Sequence, residues 1–378
     1  MIAYLDNSAT TKPAENVIAA VTGCMRERYY NPSSVYGPAV DVYRELRDTR
    51  QLLLGSVHSS GENVYFTSGG TEANNLAILG CVRAMRGRQI IARSAVEHPS
   101  VKEAFAQLER EGHEVRIINV DRHGVLQWEE LEAFLSEGAS FVSCMMVNNE
   151  TGAVTDTEKL YRLAGGRAIV HVDGVQGYQR VPFHMSHADM FTLSGHKIHA
   201  PKGIGALIAR KNVQLQPVQF GGGQQSGIRS GTENTPGIAG LRAAVEAMQQ
   251  MEDMPKKLMQ NKLRLLREFR AQVPELVVNG PEPENGAPHI INLSFPGVRG
   301  EVLLHALEAE GVYASTGSAC SSKKAKVSPV LLAMGTETGI AESALRFSLS
   351  PYTTEKEIDY AAEVLGRAYH MLRRYVRR

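Results

Sequence analysis

From about residue 60 to residue 210, short β-branched runs alternate with stretches of helical period, and this alternation constrains the fold more than any other feature of the 378-residue chain. Val64-Tyr65-Phe66 precedes a helical pattern over 71–85, and 89–92 precedes one over about 100–111. Runs at 115–120 and 141–147 precede helical patterns at 128–135 and 158–163. Further strands are expected at 169–172, 190–193 and 205–209. Such alternation predicts a largely parallel sheet covered by helices. The runs are continuously apolar, as strands buried on both faces are. A long helical stretch over 238–272, broken or bent at Pro255, is expected to lead into a second unit. That unit, from about residue 276, has strand runs near 290–293 and 345–349, a helix over 301–310 and a last helix from about Thr354. Thr354 with Glu357 fits a capping box. Arg373, Arg374, Arg377 and Arg378 then sit where the helix dipole favours cations. The first 15 or so residues are too few to fold alone and are expected to pack back onto the second unit.

Charge narrows the function classes. Lys and Arg number 41 against 40 Asp and Glu, so bulk attraction to nucleic acid or a membrane surface is excluded. No apolar run approaches the roughly 18 residues of a membrane span, and polar residues at 6, 7 and 10 argue against a signal peptide. A cytoplasmic protein is expected. The four cysteines, at 24, 81, 144 and 320, form no C-x-x-C pair, which leaves no zinc ribbon or thioredoxin motif; no metal site is expected. Cys24, Cys81 and Cys144 lie among apolar residues and read as small buried hydrophobes. Cys320 stands in Ser315-Thr316-Gly317-Ser318-Ala319-Cys320-Ser321-Ser322-Lys323-Lys324, a small and polar setting.

Five clusters carry chemistry. Thr67-Ser68-Gly69-Gly70-Thr71 follows a strand and opens a helix, a phosphate cradle on paper, although an ordinary glycine turn looks the same. Ser194-Gly195-His196-Lys197 follows an apolar strand, where burial would make the lysine a Schiff-base amine; an exposed turn lysine is the plainer reading. Asp173 ends the run 169–172, at the strand end where open α/β sheets bind ligands. A carboxylate there would keep a pyridine nitrogen protonated. His98, before an expected helix, is either a flat platform and proton carrier or a helix cap. Asn148-Asn149 follow another strand end. Together they make the inventory of a pyridoxal phosphate (PLP) site.

At this point the chain resembles the cysteine desulfurases, in the class V aminotransferase group of fold-type I PLP enzymes. The resemblance rests on Tyr4-Leu5-Asp6-Asn7-Ser8-Ala9-Thr10-Thr11, Asn31-Pro32-Ser33-Ser34, residues 67–75, Glu97-His98-Pro99-Ser100, His171-Val172-Asp173, Ser194-Gly195-His196-Lys197, Arg229-Ser230-Gly231-Thr232-Glu233-Asn234, Ser318-Ala319-Cys320 and Leu345-Arg346-Phe347-Ser348-Leu349. It implies a large domain, 15–250, with a mostly parallel seven-stranded sheet. A smaller α+β domain would combine 1–14 with 251–378 and carry a cysteine loop at about 315–328.

The resemblance also implies roles. Lys197 would hold PLP, Asp173 would pair with its ring nitrogen and His98 would stack on the ring. Asn149 and Gln176 would contact the ring hydroxyl side, and Gly70, Thr71, Ser194 and His196 the phosphate. Thr232 would reach the phosphate of a neighbouring subunit, which implies a homodimer. Arg346 would grip the substrate carboxylate, with Asn7 and Asn31 lining the substrate side. L-cysteine would become alanine, its sulfur passing to the Cys320 thiolate as a persulfide and then to an acceptor: an iron–sulfur scaffold or a tRNA-thiolation enzyme. Lys323, Lys324 and Lys326 would favour the thiolate, dock an acidic partner or simply be solvated. The segment 315–328 has five serines and one large apolar residue, Val327, too little to be rigid, and resembles the long-loop desulfurases. Three features depart from the family: Tyr36 replaces a common His, Gly174 and Val175 follow Asp173, and the tail is short. A selenocysteine lyase or another class V aminotransferase, and a non-catalytic adaptor of iron–sulfur assembly, are the competing readings.

Overall fold

The computed structural model describes residues 1–59, 61–316 and 327–376, with Tyr375 and Val376 as backbone only. In chain order the elements are β1 (Ala3–Tyr4), α1 (Glu15–Glu27), α2 (Gly37–Gly55), β2 (Asn63–Thr67), α3 (Gly70–Ala84), β3 (Ile90–Ser94), α4 (Pro99–Arg110), β4 (Glu114–Ile118), α5 (Trp128–Ser136), β5 (Ala139–Met145), α6 (Thr157–Ala164), β6 (Ile169–Asp173), β7 (Met190–Ser194) and β8 (Gly205–Ala209). There follow α7 (Thr235–Gln249), α8 (Met254–Gln272), β9 (Val277–Asn279), β10 (Ile290–Ser294), α9 (Gly300–Ala309), β11 (Val312–Tyr313), α10 (Pro329–Ala333), α11 (Thr338–Glu342), β12 (Ala344–Ser348) and α12 (Glu355–Val376).

The expected seven-stranded sheet is present, in the order β2-β8-β7-β6-β5-β3-β4. From β4 to β7 every pairing is parallel; β8 runs antiparallel to both β7 and β2. Every residue of β7 and β8 is buried, which explains why their sequences are largely apolar and do not alternate with charged residues. The helix α3 packs on β7 and β8. It is buried nearly all round, from Ala73 through Val82. By contrast α4 buries one face, Ser100, Val101, Ala104, Phe105 and Leu108, the spacing of an amphipathic helix.

A second sheet, β12-β10-β9, is antiparallel. The chain start joins this side: β1 pairs in parallel with β11, and Asp6 bridges to Ser348. The long helix expected over 238–272 is two helices, α7 and α8. The chain turns between them, with Asp253 at a left-handed φ of 53°. Pro255 lies in the first turn of α8, where its missing N–H forfeits no helical bond. The Thr354–Glu357 box forms as read: Thr354 N donates to Glu357 Oε2 at 2.7 Å and Glu357 N to Thr354 Oγ1 at 3.3 Å. Cys24, Cys81 and Cys144 are buried free thiols, and burial pushes the Cys81 thiol up to about 12. Among the described residues, no helix is long and apolar enough to cross a membrane and no cluster could hold a metal ion.

Candidate active site

The C-terminal ends of β5, β6 and β7 and the loop after β3 open into one cavity of about 470 Å³, within the range of small-ligand sites. Asp173, the last residue of β6, is buried there. Its Oδ1 accepts from Val175 N at 3.0 Å and its Oδ2 from Asn74 Nδ2 at 2.8 Å. His98 caps the start of α4, accepting from Ser100 N at 3.1 Å through Nδ1. It therefore is the helix-capping histidine and also lines the cavity. Ser100 Oγ lies 2.8 Å from the same Nδ1 and accepts from Asn74 Nδ2 at 2.9 Å. Burial pushes the His98 imidazole down; Asp173 opposes this, while Lys197 and Lys102 add to it.

Lys197 closes a single 3₁₀ turn directly after β7. Its Nζ donates to the carbonyls of Ser8 at 2.6 Å and Ala9 at 2.8 Å, and Arg180, fully buried, donates to its carbonyl oxygen. The lysine is thus held by the N-terminal segment as well as by the sheet. His196 Nδ1 meets Thr10 Oγ1 at 3.1 Å. Burial, reinforced by Lys197 and Lys202, pushes its imidazole down to about 4, so it is neutral near pH 7.

The start of α3 is the Gly69-Gly70 turn singled out in the sequence. Gly69 has φ 152°, outside the range of most side chains, and a Cβ on Gly70 would lie 2.7 Å from Val175 Cγ2. Gly69 is required for its backbone conformation and Gly70 for its close approach to Val175. Gly69 caps the 15-residue helix with no side-chain bond, leaving first-turn N–H groups open to an anion. Among the buried polar atoms of the lining residues that have no hydrogen-bond partner among the described residues are Ser194 Oγ and Gln176 Oε1. Gln176 Nε2 donates to Ser8 O at 2.9 Å.

At the opposite wall, Arg346 on β12 is 3% exposed. Its Nη1 donates to Asn149 O at 2.9 Å and its Nη2 to Asp6 Oδ1 at 2.6 Å. Glu150, beside Asn149, accepts from Ser328 Oγ at 2.5 Å; burial raises its carboxyl, against that bond and the charges of Arg346 and Lys102.

Of the residues singled out in the sequence, Gly70, Thr71, His98, Asn149, Asp173, Gln176, Ser194, His196, Lys197 and Arg346 line this one cavity. Asn7, Asn31 and Thr232 are not on its lining. Asn7 is buried and spends its amide on the carbonyls of Ser348 and Tyr4. Asn31 is exposed and accepts from Ser33 N; Thr232 is exposed after Gly231. Cys320, Lys323, Lys324 and Lys326 lie outside the described residues. The sequence reading missed Asn74, Glu97, Ser100 and Glu150 as members of the lining. Helical spacing was the available signal for Asn74, one turn beyond Gly70 and Thr71.

Glu97 is 1% exposed. Its Oε1 accepts from Ser94 Oγ at 2.6 Å and Met145 N at 2.8 Å, while Oε2 has no partner among the described residues. Burial, with Asp173 adding to it, raises its carboxyl to about 8 against the bonds from Ser94 and Met145.

The chain is similar to known proteins over nearly its whole length. A cysteine desulfurase of Nostoc sp. is 39% identical over 376 residues, spanning 98% of this chain and 94% of its own. The cysteine desulfurase NifS of Azotobacter vinelandii is 38% identical over 363 residues, spanning 94% and 90%. A solved NifS-like protein superposes with a TM-score of 0.91 at 31% identity, covering 98% of this chain and all of that one. Residues 3–361 match the family described as aminotransferase class-V, and the chain belongs to that family.

Proposed function

We propose that the chain is a PLP-dependent cysteine desulfurase, converting L-cysteine to L-alanine and passing the sulfur onward. The observation that carries this reading is the convergence of Lys197 Nζ, the Asp173 carboxylate and the open first turn of α3 on one cavity. The residues fit the cofactor. The start of α3, the unpartnered Ser194 hydroxyl and neutral His196 suit its phosphate. Asp173 receives two N–H donors and keeps carboxylate lone pairs for a third. Gln176 Oε1 and Asn149 suit the ring hydroxyl side. When bound, PLP supplies an electron sink for charge arising at the substrate α-carbon.

The chain's own residues do the rest. Lys197 provides the amine that ties the cofactor down, and its two carbonyl contacts aim that amine. Asp173 keeps a proton on the ring nitrogen. Arg346, oriented by Asp6 and the Asn149 carbonyl, offers its guanidinium to the substrate carboxylate. The Cys320 thiolate attacks the substrate sulfur: an S–S bond forms, the substrate C–S bond breaks, and alanine leaves with a proton in place of sulfur. An iron–sulfur scaffold or a tRNA-thiolation enzyme then takes the persulfide sulfur; the relatives named NifS support the first.

A homodimer with shared sites belongs to the same reading. It is supported by exposed Val35, Tyr36 and Phe220 and by the placement of Thr232 off its own chain's cavity. A cofactor-holding domain of 15–250 and a smaller one of 1–14 with 251–378 are part of it, supported by the pairing of β1 with β11. A cytoplasmic location is supported by the free thiols of Cys24, Cys81 and Cys144. Purified protein should be yellow and release alanine from L-cysteine in the presence of a reductant. Cys320→Ala should keep the colour and lose desulfuration; a fully active variant refutes the sulfur-transfer step.

A further inference from the structure

We propose that Asn74 and Ser100 form a directional relay between Asp173 and His98 that fixes His98 as its Nε2–H tautomer and makes it a positioning platform rather than a base. The inference rests on the reading of Asp173 and His98 as the ring contacts.

The argument follows hydrogen-bond polarity along the chain of contacts. An ionised carboxylate only accepts. Asp173 Oδ2, 2.8 Å from the Asn74 amide, therefore requires the NH2 end of that amide to face it. The same nitrogen has a second hydrogen, which goes to Ser100 Oγ at 2.9 Å. Asn74 Oδ1 is correspondingly left without a partner among the described residues. Ser100 Oγ, already accepting, has its single hydrogen free for His98 Nδ1 at 2.8 Å. Ser100 N also donates to that Nδ1, at 3.1 Å. Two donors on one ring nitrogen make it an acceptor, so in the neutral ring the proton resides on Nε2. Neither ring nitrogen then retains a free lone pair, and a proton added at Nδ1 would break both bonds.

Burial makes the relay rigid. Asn74 is 1% exposed and Ser100 8%, so little of either side chain is open to solvent. The charged groups acting on His98 are Asp173 from β6, Lys197 from the turn after β7 and Lys102 from α4 itself. Glu97, Glu103, Glu150 and Arg346 share the cavity lining. Sequence spacing alone could not reveal the relay, because Asn74, Ser100 and Asp173 come from α3, α4 and β6.

The test is nitrogen-15 NMR of the full-length protein as purified, labelled at histidine, with the His98 signal identified by its loss in His98→Gln. In the parent protein Nδ1 should appear as an unprotonated acceptor and Nε2 as the protonated nitrogen, from about pH 6 to about pH 8. Ser100→Ala should move the His98 titration up by about one pH unit, the equivalent of one lost hydrogen bond. Asn74→Ala should move it in the same direction, and Ser100→Thr, which restores the hydroxyl, should return it. A parent protein with the proton on Nδ1, or a Ser100→Ala titration identical to the parent, overturns the relay. Absorption by the bound cofactor is recorded on the same samples. Colourless protein with the expected tautomer would keep the relay and reject the cofactor assignment; yellow protein with the wrong tautomer would do the reverse.

Discussion

Glu97→Gln should gain stability relative to the parent as pH rises. Glu97 is the buried acid whose carboxyl stands at about 8 rather than the ordinary 4.5. Between these two values the native chain keeps a proton that the unfolded chain has released. Ionised unfolded carboxyl is then favoured over native, so folding stability falls with rising pH through that window. The penalty is absent below about pH 4.5 and complete above about pH 8. At roughly 1.36 kcal/mol per pH unit the gap sets a ceiling of about 5 kcal/mol. Glutamine can keep the carbonyl contacts to Ser94 Oγ and Met145 N made now by Oε1. Its NH2 would occupy the site of unpartnered Oε2, at a cost of about 1–3 kcal/mol that does not vary with pH. The stability difference between variant and parent should therefore grow by about 2–5 kcal/mol from about pH 5 to about pH 8.5, with the parent losing ground. Urea unfolding at the two pH values measures it. A difference that stays flat, or a variant that weakens relative to the parent as pH rises, refutes the assignment of a neutral Glu97.

Two further substitutions test other parts of the structure. A Cβ on Gly174 would stand 2.0 Å from Phe191 Cζ, a fully buried ring on β7. Gly174→Ala should accordingly cost about 1–3 kcal/mol or more, read as a lower unfolding midpoint. Arg346→Gln removes the guanidinium and leaves Asp6 without its ion-pair partner. It should raise the L-cysteine concentration for half-saturation of the spectral change by about tenfold or more, and an unchanged value would remove Arg346 from carboxylate binding.

The central sheet was legible because its strands are buried on both faces, so continuous apolar runs such as 190–193 and 205–209 leave no other reading. The helical break near Pro255 was legible for a similar local reason, although its position was set by proline's fitness for a first turn rather than by helix disruption. Asp173, Lys197, His98 and the Gly69-Gly70 turn were legible because chemistry at strand ends is announced by polar residues abutting apolar ones. Asn74 and Ser100 were not, since an amide on α3 and a serine on α4 acquire meaning only when folding sets them 2.9 Å apart. Glu97 was quoted in a motif, yet nothing local distinguishes a solvated glutamate from one that is 1% exposed. Asn31 and Thr232 show the converse: motif position suggested a site, while in the single chain both face outward.

The N-terminal strap has a consequence for biosynthesis. Ser8 N bonds to Ser348 Oγ across a separation of 340 residues, and Ser8 and Ala9 supply the carbonyls that hold Lys197. The contacts of this segment with β12 can therefore form only once β12 has been made, whereas those with Lys197 need only the sheet. Until β12 emerges, the sheet can form and the lysine can be in place, yet the cavity lacks the wall that carries Arg346. A chain that stops before β12 lacks Arg346 and therefore cannot complete this cavity.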